Sequence, residues 1–295
     1  MILLSDARSL PLANGCVQCV VTSPPYFQQR DYGAPGQIGL EQAPSEYVAA
    51  LVGVFREVRR VLRDDGVVFL NLGDTYVNRP SWGRGTTGLD GRPQVAGPDR
   101  RNVGLPVKNL LGIPWRVAFA LQDDGWYLRC DIIWNKPNAM PDGATDRPTR
   151  SHEYVFLLSK SAQYDFDADA IAEIAVNGDG NKPRGSVGSR RPNGGRRDGA
   201  GAGERITTRN RRSVWTISTE HSGVEHYATM PTELARLCIL AGSRPGDVVF
   251  DPFAGSGTTL ITARKLGRKA AGCEINPTYA KIAATRLAKT APGLF

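Results

Sequence analysis

The sequence predicts an α/β fold built on a single open sheet, and two observations carry that reading. Short β-branched or apolar runs alternate with amphipathic helical patterns along most of the 295 residues, which is the rhythm of strand–helix units. One of these runs, Val248–Asp251, passes through a Gly-rich turn directly into a helical pattern, the local plan of a parallel strand feeding its crossover helix. With 41% hydrophobic residues, the chain can fill a full-sized core.

In chain order, strands are expected at Ile2–Leu4, Cys19–Thr22, Val67–Leu72, Leu128–Trp134, Tyr154–Leu158, Val248–Asp251 and Lys269–Glu274. The clearest helix spans Glu46–Leu62, with Ser45 as its cap and Tyr47, Leu51, Val54, Phe55, Val58 and Leu62 on one face. Gly66 is expected to end that segment ahead of the next strand. Thr232–Ala241, Thr258–Leu266 and Pro277–Leu287 read as further helices. Two stretches break the rhythm. Asn78–Lys108 is rich in Gly, Pro and Arg and reads as a long loop, and Val176–Arg212 is Gly-rich and basic.

The formal net charge is +8, and ten Lys or Arg residues between Lys182 and Arg212, opposed only by Asp198 and Glu204, account for all of it. Charge segregated in this way suits contact with a phosphate backbone, although a solvated loop would have the same composition. No run of about eighteen apolar residues appears, and the N-terminus lacks a secretory pattern, so a cytoplasmic protein is expected. The five cysteines are odd in number and read as reduced thiols. Cys16 and Cys19 have no second ligand pair nearby, which favours packing over a metal.

The Gly-rich turn reads Asp251-Pro252-Phe253-Ala254-Gly255-Ser256-Gly257-Thr258-Thr259. A strand, a glycine turn and a helix N-terminus present free backbone N–H groups to a ligand. The next strand ends at Glu274, twenty-three residues after Asp251, which puts a carboxylate at a neighbouring strand tip where it can accept ribose hydroxyls. Leu260 stands where a pyrophosphate fingerprint has its third glycine, and no Gly-Lys-Ser/Thr follows. The ligand is therefore expected to be nucleoside-like with a modest anionic tail, a description that S-adenosylmethionine meets. The expected cofactor contacts here are Asp251, Pro252, Phe253, Gly255, Ser256, Gly257, Thr258, Thr259 and Glu274.

At the other end of the chain, the strand Cys19–Thr22 runs into Ser23-Pro24-Pro25-Tyr26. Together with the Gly-rich turn, this tetrad resembles the amino-methyltransferases of DNA. The stretches DIIWNKPNAMP, RSHEYVFLLSK and HYATMP also match recurring segments of that family, so the resemblance covers nearly the whole chain. It implies a Rossmann-like S-adenosylmethionine-dependent methyltransferase sheet, mostly parallel with one antiparallel strand. The tetrad precedes the cofactor motif, which resembles the circularly permuted β group. On that reading residues 1–175 and 213–295 form the catalytic domain, and 176–212 is an inserted basic recognition region. Asp6 and Thr22 would border the cofactor, as would Tyr227, next to His226. No thiol lies in the tetrad, so attack on a ring carbon is disfavoured.

The chemistry gives the tetrad its logic. An exocyclic amino group is a weak nucleophile because its lone pair is delocalised into the ring. Acceptors on its two hydrogens, the Ser23 hydroxyl and the Pro24 carbonyl, would aim that lone pair at the methyl. Pro25 brings no competing N–H donor, and Tyr26 offers a ring face to a base rotated out of the duplex. Lys136 and Arg150 are candidate phosphate contacts, and Arg205, Arg209, Arg211 and Arg212, beside Trp215, are candidates for DNA reading. Asp74 is expected either to approach the site or to cap a helix.

Ser at the first tetrad position resembles the cytosine-N4 enzymes, so double-stranded DNA with cytosine N4 as acceptor is the expected substrate. Adenine N6 stays open, as do an RNA substrate and a non-catalytic DNA-binding module. A restriction nuclease is compatible as a partner, and monomer and homodimer are both open.

Overall fold

The computed structural model describes residues 1–77, 104–140, 142–175, 208–220, 230–291 and 293. Its elements in chain order are β1 (Ile2–Leu4), β2 (Val17–Thr22), α1 (Pro44–Val61), β3 (Leu62–Leu72), α2 (Ile113–Asp123), β4 (Tyr127–Asn135) and β5 (His152–Ser159). They continue with β6 (Glu173–Ile174), β7 (Thr208–Arg209), β8 (Val214–Thr216), α3 (Thr232–Gly242), β9 (Val248–Asp251), α4 (Thr258–Lys265), β10 (Lys269–Glu274) and α5 (Pro277–Ala288). Most of the two long stretches expected as loop and insert lies outside the described residues, as do Arg205, His226 and Tyr227.

Eight strands form one sheet in the order β1-β10-β9-β2-β3-β5-β4-β8. Only β5 runs against its neighbours, pairing antiparallel with both β3 and β4. Strands buried on both faces read as continuous apolar runs, and their side chains alternate between two cores. On β3, Val68, Leu70 and Leu72 join α1 and α2 on one face, while Val67 and Phe69 join α3 on the other. Helix α1 buries Tyr47, Leu51, Val54, Phe55 and Val58, the face its periodicity predicted. Each such side chain contributes about 1.5–3 kcal/mol to holding the helix on the sheet.

Three local expectations are corrected. Ser45 does not cap α1, because the helix already begins at Pro44. The start is capped instead by the Glu46 carboxylate, which accepts from the backbone N–H groups of Gln42 and Ala43, each at 3.2 Å. Gly66 ends nothing and lies inside β3. A Cβ at Gly66 would sit 2.8 Å from the Gln18 carbonyl oxygen and from Leu62, so the glycine allows β3 to lie close beside β2. The third correction is an addition, α2. Its N-terminus has no side-chain cap of its own and follows Gly112 in the left-handed region.

Candidate active site

The sheet brings the two ends of the chain together. Strand β2 pairs parallel with β9, Cys19 opposite Val249 and Val20 opposite Phe250, so the two strands finish side by side at Thr22 and Asp251. From here the chain turns outward in opposite directions, β2 leading through α1 to β3 and β9 through α4 to β10. Ligands of open α/β sheets bind in the crevice that such a divergence opens at the carboxyl strand ends. The Thr22 hydroxyl donates to Asp251 Oδ1 at 2.6 Å, locking together residues 229 positions apart.

The Gly-rich turn is built by backbone. Gly257 sits at φ +87°, a conformation that costs other L-residues about 1–2 kcal/mol, and it leads into α4. Its Cβ position faces Ala283 at 3.1 Å. Arg286 holds the turn from below, donating to the Ser256 carbonyl at 2.7 Å and to its hydroxyl at 2.9 Å. The missing third glycine has a substitute on the next strand. A Cβ at Gly272 of β10 would lie 2.9 Å from Ala254 and from Leu260, so helix and strand approach closely through Gly272.

Two carboxylates define the polar side of this corner. Asp251 Oδ1 also accepts the Phe253 N–H at 3.0 Å, yet burial pushes its pKa up to about 6. Glu274 accepts the Gly255 N–H at 2.8 Å on one oxygen and the Asn276 N–H at 2.8 Å on the other. Burial raises its pKa too, against the pull of those N–H groups. Asp6, just past β1, is chelated by Arg8, whose hydrogen bonds hold its carboxyl below the usual range.

These groups line one cleft. Asp6, Ser23, Pro25, Asp251, Pro252, Phe253, Gly255, Ser256, Thr258, Thr259 and Glu274 all face it, so most of the sequence-predicted cofactor residues come together. Thr22 is wholly buried and braces the turn from behind. The sequence reading missed the far wall, formed by Tyr32, Gly36, Gln37 and Ile38 before α1, with Ile275 and Tyr279, whereas Met230, from the HYATMP stretch, lines the cleft as the resemblance implies. Asn276 donates to the Tyr32 carbonyl at 2.9 Å and Arg8 to the Gly36 carbonyl at 2.8 Å, which fold that segment over the cleft. The fit to a nucleoside cofactor is good. Phe253, Ile38 and Ile275 supply apolar walls, and the Glu274 oxygens, each holding one N–H, keep acceptor capacity.

The tetrad sits on the β2 side. The Tyr47 hydroxyl donates to the Pro25 carbonyl at 2.8 Å, fixing the tetrad to α1. Ser23 faces the cleft, whereas Tyr26, half-buried, is not among its lining residues, and its ring lies against Gly73 so closely that a Cβ there would meet the ring at 2.5 Å. The Tyr26 hydroxyl lies 3.3 Å from Ser23 Oγ, 2.6 Å from Glu153 Oε2 and 3.1 Å from Asn71 Oδ1. Burial, then the Glu153 charge, holds the phenol far above its ordinary pKa.

The candidate DNA cations are placed unequally. Lys136 is three-quarters or more buried, pairs with Glu153 and lies 4.2 Å over the Trp134 ring. Arg150 approaches Asp74 at 3.6 Å. Asp74 takes the capping role, accepting the Ile113 N–H at the start of α2 at 2.9 Å. Arg209 and Arg212 share Glu173, each at 2.9 Å, and Arg211 donates to the Ile171 carbonyl. The pairing of β6 with β7 closes the base of the basic segment as a short antiparallel ribbon.

Among known proteins, residues 17–285 match the N6/N4 DNA methylase family. The chain is 45% identical to the type II methyltransferase M.SmaI of Serratia marcescens over 289 residues, 97% of this chain and 90% of that one. It is 46% identical to M.Cfr9I of Citrobacter freundii, over 96% of this chain and 85% of the relative. Among solved structures, PvuII DNA methyltransferase (cytosine-N4-specific) superposes with a TM-score of 0.63 at 20% identity, covering 97% of this chain and 85% of that chain. A putative DNA modification methylase from Thermus thermophilus, solved with S-adenosyl-L-methionine, gives 0.60 at 25% identity, covering 99% and 95%. With the tetrad and the Gly-rich turn at one crevice of a mostly parallel sheet, the chain belongs to the N6/N4 DNA methylase family, the DNA amino-methyltransferases.

Proposed function

We propose that this protein transfers a methyl group from S-adenosylmethionine to the exocyclic N4 of cytosine in double-stranded DNA, on a base rotated out of the helix. The observation that carries the reading is the placement of the Ser23 hydroxyl on the same cleft as Glu274 and the Gly-rich turn. When bound, the cofactor supplies a methyl group already activated on a sulfonium. The chain's task is then orientation more than acid or base power. Glu274 holds the nucleoside end, Asp251 and the turn shape the cleft, and Ser23 accepts a hydrogen of the amino group. The choice of cytosine over adenine rests on Ser at the first tetrad position.

The DNA-binding role extends to the basic stretch from Lys182 to Arg212, and to Lys136 and Arg150. No helix among the described residues is long and apolar enough to cross a membrane. The test is to incubate unmethylated duplex DNA of mixed sequence with the protein and methyl-labelled cofactor, then digest it to nucleosides for mass spectrometry. Labelled N4-methylcytosine supports the full reading. Labelled N6-methyladenine keeps the site and overturns the base, and the absence of label on DNA overturns the substrate.

A further inference from the structure

We infer that Glu153 is a positioning residue that sets the direction of the hydrogen bonds through Tyr26 and thereby keeps Ser23 an acceptor toward the incoming amino group. The inference rests on the amino-group reading above. A serine hydroxyl has one hydrogen and two lone pairs, and so does a tyrosine hydroxyl apart from its preference for a flat geometry. A Ser–Tyr contact can therefore run either way. If Tyr26 donated to Ser23, it would take one of the two lone pairs and leave the Ser23 hydrogen free to turn toward the incoming amino group. If Ser23 donates to Tyr26, both lone pairs of Oγ stay free.

The other partners of Tyr26 decide between these. Two acceptors lie within reach of its hydroxyl, Glu153 Oε2 at 2.6 Å and Asn71 Oδ1 at 3.1 Å, and its single hydrogen goes to the nearer and charged one, the Glu153 carboxylate. The Asn71 orientation is fixed, because its amide nitrogen donates to Glu153 Oε2 and to the Tyr154 carbonyl, both at 3.1 Å. Reversing the amide would set oxygen against oxygen at both places. The phenol hydrogen thus points away from Ser23, and the Ser23 hydrogen takes the vacant phenol lone pair at 3.3 Å. Glu153 is held ready for this by Lys136, which binds its other oxygen and is itself braced on Trp134. Glu153 stands at the start of β5, Lys136 just past β4, Asn71 on β3 and Tyr26 after β2, so three other segments converge on one carboxylate.

The test is a double-mutant cycle on DNA methylation, with kcat, KM for DNA and cofactor affinity measured for wild type, Glu153→Gln, Tyr26→Phe and the double variant. A glutamine can offer its NH₂ to Tyr26 and reverse the chain. Glu153→Gln is expected to lower kcat about tenfold, the worth of one hydrogen bond, with KM and cofactor affinity within about twofold. In the Tyr26→Phe background the same substitution should change kcat less than about twofold, because the hydroxyl it acts through is gone. Equal losses in both backgrounds would show that Glu153 merely supports the fold, and would overturn the inference while leaving methyl transfer established by the wild type. A wild type that leaves DNA unmethylated removes the reading and the inference together. If Glu153→Gln unfolds below the assay temperature, Tyr26→Phe alone decides: a wild-type kcat in that variant overturns the inference.

Discussion

The two sides of the crevice are built in different ways. The cofactor side is a contiguous run, Asp251–Thr259, closed by Glu274 and Gly272 from the adjacent strand. Its key hydrogen bonds join backbone N–H groups to carboxylates within about one strand–helix–strand unit. The base side is made from side chains far apart in sequence, since Tyr26 meets Asn71 and Glu153 at separations of 45 and 127 residues. The first side is set largely within one strand–helix–strand unit, and the second exists only after the whole sheet has formed. Their point of contact is the Thr22–Asp251 bond.

The comparison predicts that the two sides can be damaged separately. Ser23→Ala should lower methyl transfer about a hundredfold to a thousandfold, the scale of losing one oriented partner of the reacting group, while cofactor binding by calorimetry stays near wild type. A variant that transfers at the wild-type rate breaks the assignment of Ser23. Glu274→Ala should do the reverse, weakening cofactor affinity about tenfold to a hundredfold, as expected for hydrogen bonds to a charged group, with DNA binding unchanged. An unaltered cofactor affinity would move the nucleoside elsewhere.

Asp251 joins the two sides and gives a pH signature. Its folded pKa, about 6, lies above its ordinary 3.8. The stabilising contribution is therefore present in full below about pH 4 and is lost as pH rises through about 6. The rise from 3.8 to about 6 corresponds to about 3 kcal/mol. Asp251→Asn keeps the acceptor oxygen used by Thr22 and Phe253 but does not ionise. Denaturant unfolding should show wild type losing about 3 kcal/mol relative to this variant between about pH 4 and pH 7. A pH-independent difference would contradict the buried charge. The smallest effect belongs to Gly257→Ala, about 1–2 kcal/mol of stability from a positive φ alone. Thermal unfolding would register this loss, and an unchanged midpoint would show that the turn can relax.

Legibility in the sequence follows the same division. All seven expected strands are present, the central ones because buried strands leave apolar runs, and α1 is visible in its periodicity. The edge strand β8 is three residues long and carries no period of its own. Helix α2 escapes a sequence reading because its cap, Asp74, lies 39 residues upstream of the N–H it accepts. The Gly-rich corner is legible since its glycines and acids have fixed spacing. The cleft wall of Tyr32, Gly36, Gln37 and Ile38 is not, for it is folded over by Asn276 and Arg8 from elsewhere. Glu153 is visible only as a residue at a strand start, and its place beside Tyr26 depends on β5 running antiparallel to β3.

The most direct measurement is a crystal structure of the protein with S-adenosylhomocysteine, the demethylated form of the cofactor. The ribose hydroxyls are expected on Glu274 and the sulfur turned toward Ser23, in the crevice between β9 and β2. A nucleoside bound away from Glu274, or a sulfur turned away from Ser23, would contradict this arrangement.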